Sequence, residues 1–213
     1  MTLPQNLETE PVAAAEVFGE RIEQARAFTS ALAEHGEERG LIGPQEAARL
    51  WSRHVLNSAV VAPLFPAQGR VGDVGSGAGL PGIVLAIARP DVSWVLIEPM
   101  ERRTIWLTEQ IEALGLDNVV VERARAEEAG RYEGVLDAVT ARAVSALRTL
   151  IPWTAPLVRD GGELILLKGL NAPNEIEAAA KAIRKHRLSD VRVEVVGEGV
   201  VDEPTRVVRA TVR

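Results

Sequence analysis

The first third of the chain carries apolar residues at helical spacing. From residue 17 they recur every three or four positions, which predicts an amphipathic helix; they are Phe18, Ile22, Ala25, Phe28 and Leu32. A second helix is predicted from Pro44, with apolar residues on one face: Ala47, Leu50, Trp51, Val55 and Ala59. Residues 1–12 are polar and contain proline, which predicts a frayed end. Residues 1–66 therefore form a predicted helical extension.

From residue 70 the pattern changes, and short apolar runs alternate with helical segments. The runs predict strands at 70–74, 93–98, 118–122, 135–139 and 162–168. The segments between and after them predict helices at 81–89, 101–115, 145–157 and 173–187. This alternation indicates an α/β domain over residues 67–213, with a mostly parallel sheet covered on both faces. Two final alternating runs without a helix between them predict an antiparallel C-terminal strand.

A glycine-rich turn joins the first predicted strand to the first predicted helix of this domain. Its glycines are Gly75, Gly77, Gly79 and Gly82. Such a turn lies at the carboxyl edge of a parallel sheet, where ligands bind, and glycine lets a ligand approach the backbone closely. Residues 77–82 also satisfy G-x-G-x-x-G, so the turn by itself leaves a dinucleotide cofactor open.

Two acidic residues flank this turn. Asp73 lies two positions before its first glycine, and Glu98 ends the next predicted strand. A carboxylate at Asp73 would crowd a pyrophosphate but could organise the turn and, through water, an ammonium group. A zwitterionic ligand such as S-adenosylmethionine fits that charge better. Glu98 could accept ribose hydroxyls in either kind of site. The alternative for both acids is a solvated strand end.

Composition narrows the possible chemistry. The chain has 213 residues and no cysteine, which excludes disulfides, thiolate zinc sites and a cysteine nucleophile, and we expect no metal. No apolar stretch reaches the roughly 18 residues of a membrane span, and the start lacks signal-peptide features, so we expect a cytoplasmic protein without a membrane partner. The net charge of −6 argues against indiscriminate nucleic-acid binding but permits a local basic face.

Three motifs are missing from the sequence. The Y-x-x-x-K pair of short-chain dehydrogenases is absent, because Tyr132 is followed four residues later by Leu136. The D/N-P-P-Y/F loop of methyltransferases that act on exocyclic amino groups is also absent. Without cysteine, the covalent route to carbon-5 of a pyrimidine is closed. These three absences narrow the possible chemistry further.

Five stretches together resemble one family, the bacterial 16S rRNA guanine-N(7) methyltransferases of the RsmG/GidB type. They are RHVLNS (53–58), DVGSGAGLPGIVLAI (73–87), RAEE (125–128), ARAVSAL (141–147) and LKG (167–169), in family order. The resemblance implies a Rossmann-like class I methyltransferase fold that uses S-adenosylmethionine. It implies methylation of nitrogen-7 of a guanine in the decoding-region loop of 16S rRNA, on the RNA or the 30S subunit. We expect a monomer.

The resemblance assigns cofactor contacts to Gly75, Leu80, Ala126, Glu127 and Arg142. We also expect cofactor contacts from the rest of the glycine turn and from the two acids that flank it. These residues are Asp73, Ser76, Gly77, Gly79 and Glu98. The family's usual serine before its arginine is replaced here by Ala141. The N-terminal segment 35–51 also departs from the family's W-N-x-x-x-N-L-T pattern.

Three residues are candidate catalytic groups, and three are candidate RNA contacts. The catalytic candidates are Arg142, which follows a predicted strand, Lys168, which ends one, and His54, which lies within hydrogen-bond reach of Ser58 and whose alternative is a packed core histidine. The RNA candidates are Arg53, Arg102 and Arg103, whose alternative is a solvated surface. Trp51, Trp106 and Trp153 are predicted core residues.

Two other functions are also compatible with the sequence. One is a nicotinamide-dependent oxidoreductase, because residues 77–82 match its fingerprint. The other is a non-catalytic ribosome-assembly factor that has kept the cofactor pocket.

Overall fold

The computed structural model describes residues 7–213 and contains a seven-stranded sheet in the order β3-β2-β1-β4-β5-β7-β6. The first five strands run parallel, and β7 pairs antiparallel with both β5 and β6. The predicted mostly parallel sheet with an antiparallel C-terminal strand is confirmed. The strands are β1 Arg70–Val74, β2 Ser93–Ile97, β3 Val119–Glu122, β4 Leu136–Arg142, β5 Val158–Lys168, β6 Ser189–Val196 and β7 Thr205–Thr211.

Eight α-helices accompany the sheet in the described residues: α1 Ala13–Phe18, α2 Ile22–His35, α3 Asn57–Ala59, α4 Gly82–Ala88, α5 Glu101–Leu114, α6 Leu147–Thr154, α7 Ala172–Ala178 and α8 Ala180–Lys185. The first predicted helix is interrupted at Gly19, whose φ of +52° is left-handed. The helix predicted at 173–187 is divided in two at Ala179. None of these helices, within residues 7–213, has the length and apolarity to cross a membrane.

The second predicted helix of the extension has an unusual form. A 3-10 turn, Glu46–Arg49, leads into a π-helix, Leu50–Leu56, which continues as α3. The prediction of an ordinary helix from Pro44 was therefore wrong in type. A π-helix bonds i to i+5 and widens the turn, and such segments often occur at functional sites.

The extension and the sheet domain share one hydrophobic core. Phe28, Leu32 and Leu50 from the extension belong to the same buried cluster as Ile83 and Trp94 from the domain. Burial of large apolar side chains is the main favourable term in folding, so this cluster holds the two parts together. The boundary between residues 66 and 67 remains a prediction.

The start of the described chain is tied to the extension. The Glu8 backbone N–H donates to the Ala47 carbonyl at 3.0 Å, and the Glu8 carboxylate accepts the Ser52 N–H at 3.0 Å. Leu7 packs against the shared core. The predicted fraying is therefore wrong for residues 7 and 8, because Glu8 is hydrogen-bonded to the extension and Leu7 packs against the core. The part of that prediction that concerns residues 1–6 lies outside the described residues.

Candidate active site

The glycine turn after β1 adopts the conformation that its sequence requires. Gly75, Gly77 and Gly79 have φ angles of +73°, +54° and +95°, which L side chains rarely adopt. Gly82 is needed for space instead, since a Cβ there would lie 2.5 Å from Asp73 Oδ2. The turn therefore presents bare backbone at the carboxyl edge of the sheet.

Asp73 lies buried beside this turn. Its Oδ2 accepts the Gly82 N–H at 3.0 Å, and the Ser76 hydroxyl donates to the Asp73 carbonyl at 2.8 Å. Its Oδ1 has no hydrogen-bond partner among the described residues. Burial raises the pKa of Asp73 to about 7. The side chain has 0% exposure, so the solvated alternative is excluded. One carboxylate oxygen thus retains its capacity for a ligand's donor.

Glu98 closes the other side of the turn. It follows β2 directly and is 2% exposed, which excludes a solvated strand end here too. Its Oε2 accepts the Gly77 N–H at 2.9 Å, and its Oε1 accepts the Met100 N–H at 3.0 Å. A carboxylate oxygen can accept two hydrogen bonds, so each oxygen has room for one more. Glu98 therefore shapes the turn and can also bind a hydroxyl.

The remaining predicted cofactor residues lie around this turn or after β3. Leu80 is half-buried between the glycines, whereas Ala126 is buried in a 3-10 turn and Glu127 is exposed. A side-chain hydrogen bond also holds the turn, because the Trp106 indole N–H donates to the Ala78 carbonyl at 3.0 Å. Trp51 and Trp106 are buried as predicted, and Trp153 is half-buried.

Arg142 is the last residue of β4, which runs further than predicted because its pairing with β5 continues to the pair Arg142–Leu167. Its guanidinium turns towards the extension. Nη1 donates to the His54 carbonyl at 3.1 Å and to Ser58 Oγ at 3.0 Å. Nη2 donates to the Arg53 carbonyl at 3.0 Å and is 2.9 Å from His54 Nδ1. Burial lowers the pKa of Arg142 to about 10, so it stays cationic near neutral pH.

His54 lies between Arg142 and an acid that the sequence analysis missed. Its Nε2 is hydrogen-bonded to Glu46 Oε2, and its side chain is 14% exposed. Burial, and next the Arg142 cation, hold the pKa of His54 below its ordinary value. The Ser58 hydroxyl donates to the His54 carbonyl rather than to its ring. His54 is therefore largely buried and also hydrogen-bonded, and it lies at the carboxyl edge of the sheet.

Lys168 ends β5 as predicted and braces the loop that follows β4. Its Nζ donates to the Ser145 carbonyl at 2.8 Å and lies 2.7 Å from Glu175 Oε2. The same carboxylate oxygen accepts the Leu147 N–H at 2.9 Å. These contacts fix the loop beside the glycine turn, and a catalytic role for Lys168 stays a prediction.

The candidate RNA-binding arginines differ in their surroundings. Arg53 pairs with the exposed Glu203 at 3.1 Å and lines a cavity of about 150 Å³ that Arg49 and Asn57 also line. Arg102 is exposed. Arg103 is half-buried, and its Nη1 lies 3.9 Å from Glu98 Oε2. The structure places Arg103 at the glycine turn and leaves Arg53 and Arg102 on the surface.

Two further residues were missed beside the turn. A Cβ on Gly75 would lie 2.7 Å from Val144 Cγ2, so this valine covers the first glycine. Ala143 has a φ of +56°, which is uncommon for a residue with a side chain. The ARAVSAL motif drew attention to this loop, but nothing in it signalled a left-handed alanine. Within residues 7–213, no group of three or more acidic or histidine side chains could hold a metal ion.

The comparisons with known proteins decide the family. The sequence profile described as "GidB: rRNA small subunit methyltransferase G" matches residues 21–204. The chain belongs to this family. A relative named Ribosomal RNA small subunit methyltransferase G, from Leifsonia xyli subsp. xyli, is 64% identical over 211 residues, covering 99% of this chain and 100% of the relative. One of the same name from Corynebacterium glutamicum is 49% identical over 202 residues, covering 94% and 91%.

Solved structures agree on the fold. A SAM-dependent methyltransferase from Aquifex aeolicus superposes with a TM-score of 0.59 at 17% identity, covering 84% of this chain and 98% of that one. M. jannaschii TYW2 in complex with AdoMet also gives a TM-score of 0.59, at 20% identity, covering 76% of each chain. The predicted class I methyltransferase fold of this GidB family member is confirmed.

We expect that Glu98→Gln weakens binding of S-adenosylmethionine by about 1–3 kcal/mol, because a charged acceptor is lost. The amide also presents a donor to one of two backbone N–H groups, of Gly77 and Met100. Isothermal titration calorimetry measures the change. An unchanged dissociation constant would show that the carboxylate serves the turn alone.

Proposed function

We propose that this chain transfers a methyl group from S-adenosylmethionine to nitrogen-7 of a guanine in the decoding-region loop of 16S rRNA, acting as a cytoplasmic monomer. Relatives that match nearly its whole length are named as small-subunit rRNA methyltransferases. The observation that carries the proposal is the bare glycine turn held between two buried carboxylates, Asp73 and Glu98.

The residues of the turn fit this cofactor better than a dinucleotide. Asp73 already accepts the Gly82 N–H at the start of α4, a donor that a pyrophosphate would need. Its Oδ1, which has no hydrogen-bond partner within residues 7–213, suits an ammonium group or a water bound to one. Glu98 has acceptor capacity for ribose hydroxyls. Together with membership in a methyltransferase family, this favours the proposal over the nicotinamide alternative.

The reaction requires little acid–base catalysis by the protein. When bound, S-adenosylmethionine supplies an electrophilic methyl group. Nitrogen-7 of guanine carries an in-plane lone pair and no proton, so no general base is required before transfer. The work of the chain is to hold the two reactants in line and exclude water. The braced loop 143–146 and the anchored Arg142 suit such a positioning role.

The experiment that tests the proposal measures methyl transfer from labelled S-adenosylmethionine to 30S particles and to naked 16S rRNA, followed by mapping of the modified base. We expect one modified guanine, at nitrogen-7. Stabilisation by S-adenosylhomocysteine but not by NAD, in thermal unfolding, is the matching cofactor result. Binding to 30S particles without transfer would favour the assembly-factor alternative and contradict the proposal.

We expect that Arg53→Ala weakens 30S binding and lowers its salt slope by about one, as for one lost phosphate contact. RNA would displace Glu203 from Arg53 at little cost, because exposed ion pairs contribute about 0–1 kcal/mol. Binding is measured across a salt series, with cofactor affinity expected to stay unchanged. Arg26→Ala is the control, since Arg26 is paired with Glu10 and Glu23. Equal salt slopes for wild type and Arg53→Ala would show that Arg53 does not contact RNA.

A further inference from the structure

The guanidinium of Arg142 has little freedom of orientation. Its two terminal nitrogens carry four hydrogens, and four acceptors in the extension receive them. These are the carbonyls of Arg53 and His54, the Ser58 hydroxyl and His54 Nδ1. The extension, rather than the sheet domain, therefore sets how Arg142 lies at the carboxyl edge.

One of these four acceptors depends on a proton elsewhere. A neutral imidazole has one N–H and one lone pair, so His54 Nδ1 can accept from Arg142 only when the ring proton is on Nε2. Nε2 in turn faces Glu46 Oε2. An ionised carboxylate only accepts hydrogen bonds, so it selects the Nε2–H tautomer. By selecting this tautomer, Glu46 keeps the Nδ1 lone pair of His54 available to accept a hydrogen bond from Arg142.

The charges around the ring support this assignment. His54 faces two cations, Arg142 and Arg53, and one anion, Glu46. Burial and Arg142 lower the pKa of His54, while Glu46 opposes them. The hydrogen bond from Arg49 holds the pKa of Glu46 below its ordinary value. Near neutral pH the pair is therefore a neutral imidazole donating to a carboxylate.

We propose that Glu46 is a positioning residue for methyl transfer, which fixes the tautomer of His54 and through it the orientation of Arg142. The inference rests on the proposed function for its activity readout only. Glu46, His54 and Arg142 form what we term the positioning network. An acid that orients a histidine in this way can matter greatly to turnover, as the buried acid of a Ser-His-Asp triad does.

Two variants of Glu46 separate orientation from packing. Glu46→Leu removes the acceptor, so the ring proton can move to Nδ1 and point at Arg142; we expect kcat on 30S particles to fall about 10- to 100-fold with KM nearly unchanged. Glu46→Gln keeps an oxygen that accepts from Nε2–H, so we expect kcat within about threefold of wild type. Because Glu46 raises the pKa of His54, its replacement by glutamine should move the acid limb of the pH–kcat profile to lower pH.

A spectroscopic readout tests the tautomer without any assay of activity. The chain has three histidines, so ¹⁵N-histidine labelling gives few ring signals, which single substitutions of His35 and His186 assign. We expect the His54 ring in wild type to carry its proton on Nε2. In Glu46→Leu we expect the two ring nitrogens to share it. Glu10→Gln is the matched control, since it neutralises another ion-paired acid of the extension without contact to His54.

The outcomes discriminate between the two proposals. Wild-type kcat and tautomer in Glu46→Leu would overturn the positioning role, and so would a lost kcat with the Nε2–H tautomer retained. If Glu46→Leu fails to fold, an unshifted acid limb in Glu46→Gln overturns it instead. A wild type that methylates no RNA would sink the proposed function, whereas the ring signals would still test the link between Glu46 and His54.

Discussion

Arg142→Lys should lower the methylation rate of 30S particles about 100-fold or more, although it preserves the positive charge. Lysine offers three donors from a single point and cannot span the four acceptors that hold the guanidinium. Two unmade hydrogen bonds to a charged group cost about 3 kcal/mol, which corresponds to that factor in rate if the orientation matters only during transfer.

The control for this variant is Arg26→Lys. The Arg26 guanidinium also pairs with two carboxylates, those of Glu10 and Glu23, but it does so on the exposed side of the extension. Single-turnover methylation and cofactor binding are measured for both variants, with urea unfolding as a check on the fold. Near-wild-type turnover in a stable Arg142→Lys protein would mean that charge alone suffices at this edge.

Gly75→Val should abolish measurable binding of S-adenosylmethionine. At a φ of +73° a branched side chain is strained, and its Cβ would also lie 2.7 Å from Val144 Cγ2. Backbone strain and overpacking against Val144 each cost about 1–3 kcal/mol, and relief of both would displace the turn backbone that the cofactor must contact. The same strain should also lower the free energy of unfolding. Calorimetry with S-adenosylmethionine measures the binding.

A matched variant at another glycine separates the effect of backbone strain from the effect on the cofactor site. Gly134 has a φ of +63° and lies in the turn before β4, and a Cβ added there would meet no heavy atom of the described part of the chain within 4 Å. Gly134→Val should therefore lose stability while it keeps cofactor affinity. If Gly75→Val bound the cofactor as tightly as Gly134→Val does, the glycine turn would no longer belong to the site.

The cofactor side of the site could be predicted from sequence because its parts are local. A strand, a glycine turn and a helix follow one another within residues 70–88, and each is encoded by its own residues. Asp73 and Glu98 were found because parallel strands bring their carboxyl ends to one edge. Their burial, and the hydrogen bonds that each accepts from the backbone, depend on packing that periodicity does not reveal.

The extension side could not be predicted in the same way. Arg142 and His54 lie 88 residues apart, and their contact depends on how the extension packs on the sheet. Periodicity predicted an ordinary helix around His54, in which Glu46, eight residues earlier, would lie two turns away. The 3-10 turn and π-helix bring the two together instead. Tertiary contacts override local preference here, as they do for the left-handed Ala143.

The hydrogen bond between the Trp106 indole and the Ala78 carbonyl gives the glycine turn an optical reporter of its own. Indole emission shifts in wavelength and intensity when the partner of its N–H moves. Trp106 is fully buried, so solvent contributes little to its signal. A rearrangement of the turn that moves the Ala78 carbonyl would thus change the contribution of Trp106 to the intrinsic fluorescence, which is readable in real time without a label. The kinetics of cofactor entry can then be followed through a side chain that is hydrogen-bonded to the turn itself.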